Sequence, residues 1–282
     1  VSDRVGVPAR VRRVSSELRE LRLRNGLGAE EVSSALGMSM SKLSRMETGQ
    51  RGLQVDDVAA LLGLYRVRAE RRVELLGLVR EATKPNWWRV GDRRLAQLDG
   101  LVAFESSASA FRNYETILIP GLVQTPEYMV AVAEAAGRGY TADEVDRLVR
   151  AKADRQNILR TRPHQQFEFV IEQHALERGT GGPGVMYRQL RHLSSILSRE
   201  NVDIRVLPAE LGAHAGMAGS FVILEFETHQ DLVYFENRGA SAYLEESRYI
   251  TDAKEVLVNL RNLALSPRES AALITEFADR MA

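Results

Sequence analysis

Between Ser39 and Gln50 the chain reads SMSKLSRMETGQ, and its polar members are of the types that read base edges. Arg45 carries a planar guanidinium able to donate two parallel hydrogen bonds to guanine, and Lys42 brings a point charge. Ser41 and Ser44 are small, so they donate hydrogen bonds without holding a helix away from a groove. Met40 adds an apolar contact beside them. Leu43 and Met46, three apart, are the two large residues available to anchor the opposite side. The spacing therefore predicts a short helix with one side pinned to a core and one suited to a DNA major groove. A plain solvated surface helix is the competing reading of these residues taken alone.

The elements that would hold this helix are legible around it. In ARVRRVSSELRELRLRN (9–25), Val11, Val14, Leu18 and Leu21 recur at helical spacing and Gly26 stops the run. A second short helix is expected over 29–36, with Val32, Ala35 and Leu36 inward and Gly37 behind it. Ser39 is a suitable N-cap for the third helix, although Lys42 stands where a capping box would place Glu or Gln. A fourth helix begins near Val55, with Asp56 and Asp57 at its positive end. The Gly37-Met38 turn between helices two and three has helix-turn-helix spacing.

Charge divides in the same place. The 282 residues carry 38 Lys+Arg and 38 Asp+Glu, but residues 1–84 hold 16 basic against 11 acidic and residues 85–282 hold 22 against 27. A basic first part and an acidic second part assign any polyanion partner to the first. Arg10, Arg12, Arg13 and Arg51 are candidate phosphate contacts there. The length suits two domains. The absence of cysteine excludes disulfide and thiolate chemistry. No signal-peptide core and no long apolar run is present, so a cytoplasmic protein without a membrane partner is expected.

These residues resemble the Xre family of lambda-repressor-type regulators: Gly26-Leu27, Glu30-Glu31-Val32, Ala35-Leu36-Gly37 and Leu43-Ser44-Arg45-Met46-Glu47-Thr48-Gly49. The resemblance implies base reading by Met40, Ser41 and Arg45, with Lys42 and Ser44 beside them. It also implies a structural pair between Glu47 and Arg22. The family's Ser-Gln at the start of helix two is replaced here by Gly28-Ala29. A phosphate contact there is then lost or falls to backbone N–H near Ala29.

Residues 68–84 are expected to form an amphipathic connector helix with Val73, Leu76 and Val79 on one face, broadened by Leu75 and Leu78. Beyond Asn86-Trp87-Trp88 the pattern changes. Helices are expected near 95–108, 126–136, 141–160, 185–199, 246–264 and 267–281. NYETILI, FEFVIE, VDIRVLP, SFVILEF and DLVYFE read as strands, the last two as a hairpin. The fold class expected is an all-α helix-turn-helix domain (8–66), a connector (67–84) and an α+β domain (85–282) with a largely antiparallel sheet.

The second part resembles the C-terminal domain of a large actinomycete family of WhiJ-like regulators, in which it follows an Xre-type domain. Trp87-Trp88, Tyr114-Glu115, Pro120-Gly121-Leu122, Gln124-Thr125, Tyr128, Glu172, Gln189-Leu190, His214, Gly219-Ser220-Phe221, Leu265-Ser266 and Ser270 carry it, in order. It implies a role in development or secondary metabolism and a small acidic partner protein. Chemistry has little support. Gly179–Gly184 (GTGGPG) matches GxGxxG formally, but QHALER separates it from the strand before it, so no dinucleotide cofactor is expected. The five histidines have no metal-ligand spacing. Trp87, Trp88, Tyr114, Glu172 and His214 are candidates for a ligand or partner pocket. The expectation is a homodimeric, non-enzymatic regulator that binds a palindromic double-stranded operator without a cofactor. The alternatives are a module that sequesters, or is sequestered by, a small partner, and an enzyme with a vestigial DNA domain.

Overall fold

The computed structural model describes residues 8–50, 52–82, 101–102, 104–137, 139–237 and 240–282, and the backbone of 87–90. Five helices come first: α1 (Ala9–Arg24), α2 (Ala29–Ala35), α3 (Met40–Glu47), α4 (Val55–Leu64) and α5 (Ala69–Arg80). Their apolar faces meet in one core of Val11, Val14, Leu18, Val32, Leu43, Met46, Val58, Leu61 and Leu62, with Leu75 and Val79 of α5. Gly26, Gly37 and Gly49 end α1, α2 and α3 at positive φ, where a side chain would be strained. The α5 helix belongs to this core. Arg71 ties it to α1 by a two-bond contact with Glu17 at 2.7 and 2.6 Å. The expected face of α5 needs correction, because Val73 is 69% exposed while Leu75 is fully buried.

The rest is an α+β domain about one seven-stranded sheet. Its strands are β1 (Trp87–Val90), β2 (Ala110–Glu115), β3 (Gln166–Glu172), β4 (Val202–Leu207), β5 (Phe221–Glu225), β6 (Leu232–Glu236) and β7 (Ala240–Leu244). Their order is β1-β7-β6-β5-β2-β3-β4. Four pairings are antiparallel, and β5 and β6 form the expected hairpin. The β2/β3 and β3/β4 pairs are parallel. Parallel strands need crossovers. These are α6 (Pro126–Ala135), α7 (Ala142–Gln156) and α8 (Ile158–Thr161) in the first, then α9 (Gln173–Glu177) and α10 (Pro183–Ile196) in the second. The strand expected at NYETILI lies earlier and ends at Glu115; β1 and β7 were not expected. Of the helix expected near 95–108, residues 95–100 and 103 lie outside the described residues, and 101–102 and 104–105 are helical.

Both faces of the sheet are covered. Phe111, Phe167, Phe169, Ile171, Leu224, Tyr234 and Tyr243 pack with Leu190 and Leu193 of α10 and with Ile274 and Phe277 of α12 (Pro267–Arg280). Tyr114, Val170, Ile223 and Val233 pack on the other face with Ile250, Leu257 and Leu260 of α11 (Ser247–Leu263). Strand β3, between β2 and β4, is accordingly buried on both sides along FEFVI, as a strand between two helical layers must be.

Candidate nucleic-acid interface and second-domain network

The α3 helix starts where Ser39 Oγ accepts a hydrogen bond from Lys42 N–H at 3.1 Å. One turn on, Leu43 and Met46 are buried, while Met40, Ser41, Ser44 and Arg45 are exposed on the outer side. Lys42 does not stand free beside them. Its Nζ lies 2.6 Å from Asp57 Oδ1 at the start of α4, with both side chains partly buried, so the structure draws it away from the outer face.

Glu47 fixes the far end of α3. Arg22 donates from Nε and Nη2 to its two carboxylate oxygens at 2.7 and 2.9 Å, and from Nη1 to Leu27 O at 3.0 Å. The side chains are 13% and 6% exposed, and the pairing raises the Arg22 pKa above its ordinary value. A two-bond fork of this kind fixes distance and orientation together. It sets α3 against α1 and the loop before α2. At the start of α2, Glu31 accepts from Gly28 N–H at 3.4 Å, so a carboxylate already stands beside the amides near Ala29.

The arginines at the start of α1 are placed differently from the sequence expectation. Arg10, Arg12 and Arg13 are 5%, 8% and 1% exposed, which withdraws them from any phosphate in this arrangement. Arg10 pairs with Glu81 at 2.7 Å, and Arg13 lies 3.7 Å from Glu74. Arg12 crosses to the second domain. Its Nη2 donates to Gln230 O at 3.1 Å, and its guanidinium carbon lies 4.2 Å from the Phe226 ring centre. Burial lowers its pKa to about 10, against the pull of Glu245 and Asp231. Beside it, Ala9 N–H donates to Glu245 Oε2 at 2.7 Å. Helical periodicity could not separate these arginines from surface ones, because what covers them is distant in sequence: Glu81 and Glu74, on α5 or at its end, for Arg10 and Arg13, and a segment more than 200 residues away for Arg12. Arg51 lies outside the described residues.

In the second domain the structure brings together Tyr114, Glu172 and His214. Tyr114 Oη donates to Glu172 Oε1 at 2.6 Å, and His214 Nε2 lies 3.1 Å from the same oxygen. His214 Nδ1 accepts from Gly216 N–H at 3.2 Å, which leaves the proton of a neutral ring on Nε2, facing Glu172. Desolvation, then Glu172, raises the Tyr114 pKa. A Cβ on Gly216 would stand 2.5 Å from the Tyr114 ring, so glycine is what lets this backbone close over the phenol. The arrangement uses its donors internally. Trp87 and Trp88 do not share this strand pair: their backbone forms edge strand β1, with β7, β6 and β5 between it and β2. Their side chains lie outside the described residues. Gly179–Gly184 joins α9 to α10, with β3 ending at Glu172, so the glycines do not follow a strand. A cavity of about 960 Å³ lies between the 226–231 turn and α11, lined by Phe226, Gln230, Asp231, Ile250, Lys254 and Val258 among others.

Comparison with known proteins accords with this division. Residues 13–76 match the model of a helix-turn-helix domain, and residues 98–276 match that of a family described as a domain of unknown function, DUF5753. No curated protein matches the chain. Among solved structures, that of TrmBL2, an archaeal chromatin protein described as showing a novel mode of DNA binding, aligns over 85% of this chain and 88% of its own. The identity is 10% and the TM-score 0.29, a likeness too slight to carry an argument.

Proposed function

The chain belongs to the DUF5753 family and sets a helix-turn-helix domain ahead of it, and from that premise we propose that it is a sequence-specific DNA-binding transcriptional regulator whose second domain controls the first. One observation carries the reading: α3 exposes Met40, Ser41, Ser44 and Arg45 while Leu43, Met46 and the Arg22–Glu47 fork hold its other side. On this reading Arg45 and the two serines touch base edges. Lys42 steadies α4 instead. The chain acts as a homodimer on a palindromic operator, because one short helix spans only a few base pairs and two half-sites are needed for useful affinity. Control passes through a small ligand or a small acidic partner protein. The setting is actinomycete development or secondary metabolism, in the manner of WhiJ-like regulators.

The test is the operator affinity of Arg45→Ala beside its affinity for random duplex. A base contact is lost on the operator only, at about 1–3 kcal/mol, with relaxed preference at one position per half-site. An equal loss on both duplexes would reduce Arg45 to a phosphate contact and remove the main support for sequence reading by α3.

A further inference from the structure

One side of α11 presents Ser247, Ile250, Thr251, Lys254, Glu255 and Val258, residues three and four apart and so on a single face. Opposite it, the segment that joins β5 to β6 supplies Phe226, His229, Gln230 and Asp231. The cavity of about 960 Å³ lies between these two walls. Small-molecule sites span about 300–1,000 Å³, so there is room for a ligand of ordinary size. Thr251, Glu255 and Val258 are exposed at its mouth, while Phe226 and Ile250 are buried beneath.

The charges within the walls are closed on one another. Lys254 Nζ donates to Asp231 Oδ2 at 2.7 Å and lies 3.1 Å from Glu225 Oε1. Arg112 donates to Glu225 Oε2 at 2.9 Å, and Asp231 Oδ1 accepts from Phe226 N–H at 3.0 Å. Glu227 and Glu255 are exposed at the rim. With four carboxylates against one ammonium, the lining repels an anion. A cation fares little better, since the inner carboxylates already hold cations and an ion pair at the rim adds little. The interior therefore offers apolar surface and a few hydrogen-bonding groups. Among the described residues, Lys254 uses two of its three N–H donors. His229 is half-buried, and burial, then Arg12, lowers its pKa below the usual histidine value. Its ring is thus neutral, with one nitrogen donating and the other accepting.

The same wall touches the first domain. Gln230 O accepts from Arg12, whose guanidinium lies over the Phe226 ring. Arg12 in turn packs on Gly49, just past the end of α3: a Cβ there would stand 3.6 Å from Arg12 Cγ. A run of contacts leads from the cavity wall to the end of α3.

We propose that this cavity is the effector site of the second domain and takes an uncharged, mainly apolar small molecule that carries a carbonyl acceptor. The apolar body lies among Phe226, Ile250 and Val258, and the acceptor receives the third N–H of Lys254. Occupation moves the wall that holds Arg12, and operator affinity changes because the ligand binds the two arrangements unequally. That regulatory step rests on the proposed function; the binding itself does not, and is measured without DNA.

The experiment titrates the intact protein with 2-acetylnaphthalene, followed by ligand-observed NMR. Three molecules with the same ring serve as matches: 2-naphthoate (anionic), 2-naphthylmethylammonium (cationic) and 2-ethylnaphthalene (no acceptor). Saturable binding of the ketone is expected, at least tenfold weaker for naphthoate, several-fold weaker for ethylnaphthalene and no tighter for the ammonium. Thr251→Trp with Val258→Trp places two indoles at the mouth and should weaken ketone binding at least tenfold. Both positions are exposed, and melting without ligand verifies the fold; either single variant serves if the double one melts early. Absence of saturable ketone binding, equal binding by the folded variant, or any match binding as tightly as expected only of the ketone overturns the proposal. Operator affinity is recorded on the same samples, with at least a threefold change expected at saturating ketone. Ketone binding that leaves operator affinity unchanged overturns the effector role. Operator binding without ketone binding sinks this site and leaves the DNA reading standing; ketone binding without operator binding does the reverse.

Discussion

Single side chains decide whether α3 is held rigidly. Glu47 is nearly buried and forked to Arg22, so Glu47→Ala strands a guanidinium in a place where water scarcely reaches. We expect a loss of about 3–5 kcal/mol in the first domain, and recovery of much of it when Arg22 and Glu47 are both replaced by leucine. Chemical denaturation of the two variants decides the matter; an unchanged midpoint for Glu47→Ala would make the fork energetically idle. Glu115 has the opposite character, since its carboxyl is kept from ionising. Its pKa is raised from 4.5 to about 7 in the folded chain, so between those values the unfolded chain gives up a proton that the folded chain retains. Stability therefore falls as pH rises across that window, and the loss is complete above it. Glu115→Gln should melt with the wild type near pH 5 and about a few degrees above it near pH 8. Parallel melting curves at the two pH values would show Glu115 to be ionised throughout.

At the scale of elements, α5 offers the sharpest contrast. Leu75 fills the first core and Val73 faces solvent. Leu75→Ala should cost about 2–5 kcal/mol, while Val73→Ala should change stability by less than about 0.5 kcal/mol. Similar losses at both positions, measured by denaturant unfolding, would mean that Val73 is covered in solution. The side of α5 that turns inward was hard to read because Val73, Leu75, Leu76, Leu78 and Val79 supply two overlapping apolar stripes. The helices of the first domain were legible, since Ser39 marks a start and Gly26, Gly37 and Gly49 mark ends through local backbone chemistry. Strand β7 was not. Its sequence, ASAYL, has small residues and no alternation, and it is a strand because β6 and β1 bond to it. The parallel pairing of β2, β3 and β4 escaped for the same reason, being a property of long crossovers rather than of any local stretch. Within the candidate sites, residues close in sequence were readable as a group. Arg12, Phe226 and Gln230 meet only through the tertiary fold, and no short-range pattern announces that.

At the scale of the molecule, the described residues join the two cores at the start of α1 and at Leu78 of α5, which packs against both. Ala9 lies in the core of the second domain while Val11 and Val14 lie in the first, and Arg12 rests on Phe226, which also lines the cavity beside α11. Because the first core is closed by its own helices, a fragment of residues 1–84 should fold alone. On the proposed reading it binds the operator far more weakly than the whole chain, having lost the partner that holds the second half-site at an effective concentration near millimolar. Equal operator affinity of fragment and whole chain, in a binding titration, would leave the second domain without a part in DNA binding. The contact from Ala9 to Glu245 also bears on how the protein is made. Its partners are 236 residues apart in sequence. At synthesis rates of roughly 5–20 residues per second, about 10–50 s separate the emergence of one from the other. The helical first domain, built on near neighbours, folds within a small fraction of that time. During every round of translation, then, a finished first domain hangs from the ribosome with no second domain beside it, close to the chromosome if its message is still being transcribed. On the proposed reading, each new molecule begins its life as a short-lived, ungoverned version of itself.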